Sequence, residues 1–336
     1  MITTLRRNAY VVLLLSLGVI GGLGLITPFL AVLFSFFVLE QLNFLRRAWL
    51  TVVVFIILVS VVGVGLAYFI DEAVRTLPRV ANTAIPGILQ YAEEHGLRLP
   101  FTDWASLKAF VLESVGNELG VLGKFARRAT KQFVFMLIGL VVATSLFLGS
   151  SARRRRGPAS APTHLYGLFC VEMAERFRLL YHAFETVMGA QLVISAINTG
   201  ATAVFTLWVG LPYPGLLLAL TFLCGLLPIV GNLMSNSVIV GVAFTVSPHL
   251  ALWALVFLIG LHKLEYFLNS KIIGERIKNP VWATLIALIV GDMLLGIPGM
   301  ILAPVILYYL RLELSQVPLP APEPPRAAGP APPPPT

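Results

Sequence analysis

Apolar residues in this chain do not alternate with polar ones; they run in long blocks, each ended by Lys and Arg or by Gly and Pro. A helix rises 1.5 Å per residue, so about 20 apolar residues cross the ~30 Å hydrocarbon layer of a bilayer. The blocks predict a first span to about Ile26, a return span before Arg46 and Arg47, then spans over Trp49–Ile70, Phe133–Gly149 and about Val187–Val209. Ala251–Asn269 is a further block, flanked by two longer ones, Pro214–Val246 and Val281–Leu310, that exceed one ordinary span. In lipid every backbone N–H and C=O needs a partner within the protein, and blocks of this length meet that need as helices. The predicted fold class is an all-α polytopic membrane protein.

The two overlong blocks are interrupted near their middles. The first reads LLPIVGNLMSN, with Pro228, Gly231 and Asn232 as helix breakers and Asn236 just beyond; the second reads GDMLLGIPG, with Gly291, Asp292, Gly296, Pro298 and Gly299. Each block therefore predicts two half-helices, which either cross fully or return as a re-entrant hairpin. Broken backbone at membrane depth is tolerated only inside protein or against a water-filled cavity, and paired interrupted segments point to a transport site.

Composition agrees with the pattern: 57% of residues are hydrophobic, 12% are charged, and the mean hydropathy is +0.87. The net charge of +8 resides in clusters just outside apolar blocks, which marks loops facing anionic lipid rather than a nucleic-acid surface. Arg6 and Arg7 place the N-terminus inside, and Arg153–Arg156 is the strongest inside marker. The expected location is the inner membrane, with no cleavable signal before the first span. Cys170 and Cys224 form neither a disulfide framework nor a metal-ligand spacing.

Charge and apolar blocks divide the chain into spans one to three (1–70), an extracytoplasmic helical insert (71–132), span four (133–150), a cytoplasmic basic loop with an amphipathic helix (151–185), a transport region with both interrupted segments (186–312), and a disordered Pro-rich tail (313–336). The insert carries seven acids against eight Lys or Arg, and Asp103 can cap a helix with a Leu107, Phe110, Val111, Val115 stripe. The cytoplasmic helix, His164–Phe184, mixes Leu168, Phe169, Phe177 and Leu180 with Glu172, Glu175, Arg176 and Arg178, and is expected along the inner interface.

Candidate chemistry lies on three segments. In span five, Gln191, Ser195, Asn198 and Thr202 share a helix face, where bonds to another helix or to a hydrated path satisfy them. In the polar island Leu261–Pro280, His262, Glu265 and Asn269 share a face. Glu265 near the membrane must pair with Lys263 or His262, bind a cation or take up a proton. Asp292, beside Gly291 and before the Gly-Ile-Pro-Gly break, is the second acid placed to meet a cation or substrate. Glu40 is explained by pairing with Arg46 or Arg47.

The motifs GLPYPGLLLALTFLCGLLPIVGN, LEYFLNSKIIGERIKNP and GIPGMILAPVILYYL resemble the C-terminal half of the autoinducer-2 exporter family, with motif detail over about residues 187–312. Glu265, Gly274, Pro280, Pro228, Gly231, Gly299 and Pro304 fall on the family's pattern. Asn232 stands where a second Pro is usual, Tyr266 where Asn follows the Glu, and Ser270 where a Pro precedes Lys271. The resemblance implies about eight membrane segments, a homo-oligomer, plausibly a pentamer, and export of a small hydrophilic signal; some members look like sodium(lithium)/proton antiporters.

The expected function is a secondary transporter, with a small hydrophilic solute or a monovalent cation as its passenger. No Gly-x-x-x-x-Gly-Lys loop is present, no cofactor is called for beyond a coupling H+ or Na+, and no catalytic constellation stands out. A non-transporting membrane scaffold that recruits partners is the reading from another class.

Overall fold

The computed structural model describes residues 2–43, 47–94, 96, 121–156, 163–227, 230–272 and 280–315. These residues form ten helices and no strand: α1 (Ile2–Gly22), α2 (Ile26–Leu42), α3 (Ala48–Glu94), α4 (Val121–Arg156), α5 (Leu165–Val209), α6 (Pro214–Gly225), α7 (Val230–Val246), α8 (Pro248–Ile272), α9 (Val281–Leu295) and α10 (Ile297–Ser315). The all-α polytopic class is therefore what the chain adopts. Pro228, the Asp103 helix, the loop after Arg156, Gly274 and the Pro-rich tail from residue 316 lie outside the described residues, whereas residues 313–315, expected in that tail, are the last turn of α10.

Four helical stretches are long and apolar enough to cross a membrane: α3, Lys131–Ala152 within α4, α5 and α10. The α1–α2 pair, bent by 114° at its turn, makes a fifth candidate. Eight full spans are not found among the described residues, because the overlong blocks are divided as their Gly and Pro residues predict. The arms α6, α7 and α9 hold 12, 17 and 15 residues, each short of the roughly 20 that a crossing needs.

Two expected boundaries are absent. Span three does not stop at Ile70: α3 continues to Glu94 through Pro78 and Pro86, so the described part of the insert begins as a rigid extension of the span. The expected surface helix and span five are likewise one helix, α5, of 45 residues and so about 67 Å long. Hydropathy marks where lipid begins and ends; it does not mark where a helix ends.

Side chains separate into distinct cores. One joins α1, α2, α10 and the first half of α5 around Leu13, Leu30, Phe37, Phe184, Val187, Leu302 and Val305. A second joins the C-terminal half of α3, the last turns of α5, and α6, α7 and α8 around Val80, Phe205, Leu217, Val242 and Ala254. A smaller one packs α4 on α2 and α3 through Phe147, Leu39 and Phe55. Helix α5 is common to the first two. Between Val53 and Ile70, α3 instead exposes Ile56, Ile57, Val61, Val62 and Val64, the surface expected against lipid.

Helices α6 and α7 form a hairpin. Leu217 near the start of one arm shares a core with Ile239 and Val242 near the end of the other, and Gly231 meets Cys224 at the turn. A Cβ on Gly231 would overlap the Cys224 carbonyl oxygen, so only glycine permits this approach. Helices α9 and α10 form a second hairpin, in which Gly291 and Gly299 pack backbone on backbone. Its turn residue, Gly296, has φ 64° and ψ −150°, a region essentially restricted to glycine. Its N–H closes the α9 end on the Asp292 carbonyl at 2.7 Å, and Pro298 sits in the first turn of α10, where a missing N–H costs nothing.

The two hairpins open toward opposite ends of α5. The first has its mouth beside Phe205 and Leu211 and its turn beside Gln191; the second has Leu295 at its turn, against Gly21, and Glu313 at its base, against Arg176.

Candidate functional site

The face of α5 singled out by the sequence meets the first hairpin. Gln191 Nε2 donates to the Gly225 carbonyl at 2.5 Å and Ser195 Oγ donates to the Phe222 carbonyl at 2.7 Å. Those are C=O groups of the last turn of α6, which lack a full set of intrahelical partners where the helix ends. A Cβ on Gly225 would overlap Ser195 Oγ, so α5 and the hairpin turn touch closely. Two helical side chains thus hold the break at a fixed height.

One turn further along, Asn198 reaches Glu265. The Glu265 carboxylate accepts from Asn232 Nδ2, 2.7 Å from both oxygens, and from Asn198 Nδ2 at 3.2 Å; His262 Nδ1 lies 4.0 Å away. Asn232 opens α7 just after the break, Asn198 belongs to α5, and Glu265 and His262 belong to α8. The Glu265 side chain is 12% exposed and that of His262 70%. No Lys or Arg pairs with Glu265 among the described residues. An ionised carboxyl shielded from water is favoured when donors surround it, and here the donors are two neutral carboxamides.

Around this cluster lies a cavity of ≈ 10 Å³, lined by Asn198, Thr221, Asn232, Asn236, Leu258, Leu261, His262 and Glu265. That is room for about one water molecule. Asn198 is buried, and its Oδ1 has no hydrogen-bond partner among the described residues. Thr221 is buried as well and donates its hydroxyl to the Leu217 carbonyl at 2.8 Å, which leaves its oxygen lone pairs unspent. Sequence reasoning had not singled out Thr221; its helical spacing, one turn before Gly225, was the available signal.

Most expected site residues therefore converge. Gln191, Asn198, Asn232, Asn236, His262 and Glu265 gather at the first hairpin, while Asn269 lies on α8 with its side chain outside the described residues. Lys263 is exposed and is not the partner of Glu265. Asp292 stands apart: its side chain is exposed, and it makes no hydrogen bond or ion pair among the described residues. The polar island is helical in its described part, as the shared face of His262 and Glu265 requires, and forms the last turns of α8.

A second buried carboxylate went unread. Arg176, 1% exposed, meets Glu313 Oε1 at 2.6 Å and Glu172 Oε2 at 3.2 Å, and its guanidinium lies 4.7 Å from the centre of the Tyr10 ring. The Tyr10 hydroxyl also donates to Glu313 Oε1. This set ties α1, α5 and α10 together at one end of the molecule. Only the Glu172–Arg176 spacing is visible locally; the partners on α1 and α10 are remote in sequence.

Residues 9–312 match the sequence profile described as AI-2E family transporter. The chain belongs to the AI-2E transporter family. It is also 25% identical over 185 residues to "Putative transport protein YdbI" of Bacillus subtilis (strain 168), a match covering 54% of this chain and 52% of that protein. The chain thus spans about half the length of this curated relative. Family membership and the apolar helices make it a multi-pass membrane protein of a transporter family, and the profile match extends from the C-terminal half through the N-terminal spans.

Proposed function

We propose that this AI-2E family member is a gradient-driven secondary transporter that moves a small hydrophilic solute out of the cell across the inner membrane, with Glu265 as its coupling group. The observation that carries the reading is the compensation of Glu265: a carboxylate at the turn of a broken hairpin, held by two neutral carboxamides. Such a group gains or loses a proton or a cation without breaking a strong ion pair. Helix breaks at membrane depth are the usual seat of transport sites.

In this reading both hairpins are re-entrant and dip into the bilayer from opposite faces. With Arg6, Arg7 and Arg153–Arg156 taken as cytoplasmic, the contacts of Tyr10 and Arg176 with Glu313 support a cytoplasmic side for the start of α1 and the end of α10 alike. Gln191 and Ser195 hold the first turn against α5, and opening toward either face requires the turn to leave them. Assembly as a homo-oligomer, plausibly a pentamer, follows from the family resemblance and belongs to the same proposal.

Reconstitution into proteoliposomes tests it. Solute flux driven by a proton or sodium gradient, and lost in Glu265→Gln, supports the reading. A monodisperse wild-type protein that moves neither autoinducer-2-like furanosyl diols nor Na+ nor Li+ under any gradient overturns it in favour of a membrane scaffold.

A further inference from the structure

We infer that a cavity on the first half of α5 is a docking groove for the chain's own Pro-rich tail, residues 316–336, which lies along it with Glu323 against Arg178 and Arg326 against Glu185. The inference goes beyond the transport reading and involves neither Glu265 nor the hairpin turns.

The cavity has a volume of ≈ 490 Å³, and its described wall is Glu175, Arg178, Leu179, Tyr181, His182 and Glu185. That volume falls in the range of small-ligand sites, about 300–1,000 Å³. The wall is built in two tiers. Leu179 and Tyr181 are partly buried against the first core, and the Tyr181 ring stands edge-on to Phe36 with 5.0 Å between centroids, so the floor is apolar and fixed. Glu175, Arg178 and His182 form an exposed rim. Glu185 accepts from Gln41 Nε2 at 3.5 Å and lies 3.9 Å from His182 Nδ1, yet its side chain is 38% exposed. Arg178 pairs with no carboxylate among the described residues.

The tail has the complementary chemistry. Ten of its 21 residues are Pro, and its charged side chains are Glu323 and Arg326. A run of this composition favours the polyproline II form, which docks on aromatic grooves because its ordering entropy is already spent. With three residues per turn, Glu323 and Arg326 project from one edge, about 9 Å apart. On α5, Arg178 and Glu185 are seven residues apart, hence on one face and about 10 Å apart. The two charge pairs therefore match in sign and spacing in one direction of the tail, and Leu319 with the neighbouring prolines is left to cover Leu179 and Tyr181.

The end of α10 delivers the tail to this place. Glu313 touches Arg176, and Leu312 packs on the same core as Leu179, so Ser315 ends its helix beside the groove. Arg178 stands roughly opposite Arg176 on α5, a path of about 17 Å around a cylinder 10–12 Å across. Eight residues separate Ser315 from Glu323 and reach about 25 Å as polyproline II. A tether this short holds the segment at millimolar effective concentration, which favours the chain's own tail over that of another copy.

Disulfide trapping in full-length protein tests the inference. In a Cys170→Ser, Cys224→Ser background, Glu175→Cys is combined with Ala321→Cys, which the register puts beside it, or with Ala331→Cys, which the register carries past the groove. After mild oxidation in detergent, mass spectrometry of peptides should find the first disulfide about fivefold more abundant than the second. Arg178→Glu should lower the first yield about threefold, and adding Glu323→Arg should restore it. His182→Cys with Pro324→Cys is an independent expected pair should the Glu175 variant fail to give a monodisperse size-exclusion profile. Equal yields from Ala321→Cys and Ala331→Cys describe a free tether and overturn the inference, as does a yield indifferent to Arg178→Glu. A disulfide that joins two chains on a non-reducing gel overturns it in favour of a second copy's tail.

Discussion

Two carboxylates among the described residues are shielded from water, and they are compensated in opposite ways. Glu313 faces a full charge: the Arg176 guanidinium at 2.6 Å, supported by Tyr10 and Glu172, and locked between three helices. Glu265 faces dipoles: two carboxamides, a histidine at 4.0 Å, and a cavity of one water's size. Removing one partner of a buried ion pair strands the other, so such a pair resists change. A carboxylate held by neutral amides keeps its charge available to a mobile ion. On the proposed reading, the difference separates a structural carboxylate from an exchangeable one by surroundings alone.

The largest effect that sharpens this contrast is expected at the locked site. Glu313→Gln leaves Arg176 with a reduced counter-charge, and a loss of about 3–5 kcal/mol in stability should appear as a markedly lower unfolding temperature in detergent. Glu265→Gln keeps the volume and most bonds, so its stability should change by less than about 1 kcal/mol while gradient-driven flux falls to background. If the two results exchanged places, the contrast would be broken.

Gly231→Ala tests the seat of the exchangeable carboxylate. The added methyl overlaps the Cys224 carbonyl oxygen and must push the hairpin arms apart, which moves Asn232 away from Glu265. A cost of roughly 1–3 kcal/mol and flux well below wild type are expected, measured together on one preparation. Gln191→Leu is milder: it frees the Gly225 carbonyl, for about 1–2 kcal/mol, and should raise the solute concentration needed for half-maximal flux more than it lowers the maximal rate. Asp292→Asn should be smallest, within twofold of wild type in flux, because its exposed side chain holds nothing among the described residues. Loss of flux there would reinstate a second coupling acid.

The residues show why some of this was legible in the sequence. Pro and Gly carry their conformational consequences with them, so the breaks just before Gly231 and at Gly296 could be read directly, although Gly231 and Asn232 themselves lie inside α7. So could the polar face Gln191–Ser195–Asn198, because helical spacing is local and a polar residue in an apolar block must find a partner. What that partner is depends on the fold. Lys263 and His262, neighbours of Glu265 along the helix, were the natural candidates, yet Asn232 and Asn198 supply the bonds. Arg176 and Glu313 meet through the return of the chain's last helix, a relation absent from any local pattern. The continuity of α3 and α5 was hidden because polar residues such as Asp71 and Arg178 end an apolar block without ending a helix.

Helix α5 carries both Arg176 and Asn198 on one unbroken rod, about 33 Å apart along its axis. On the proposed reading it serves as a lever whose short arm is held at the Tyr10–Glu313 corner. A tilt of about 10° about that clamp sweeps Asn198 through roughly 6 Å, more than the reach of any hydrogen bond it makes. Gripping the corner and grasping the carboxylate are in this way one mechanical act.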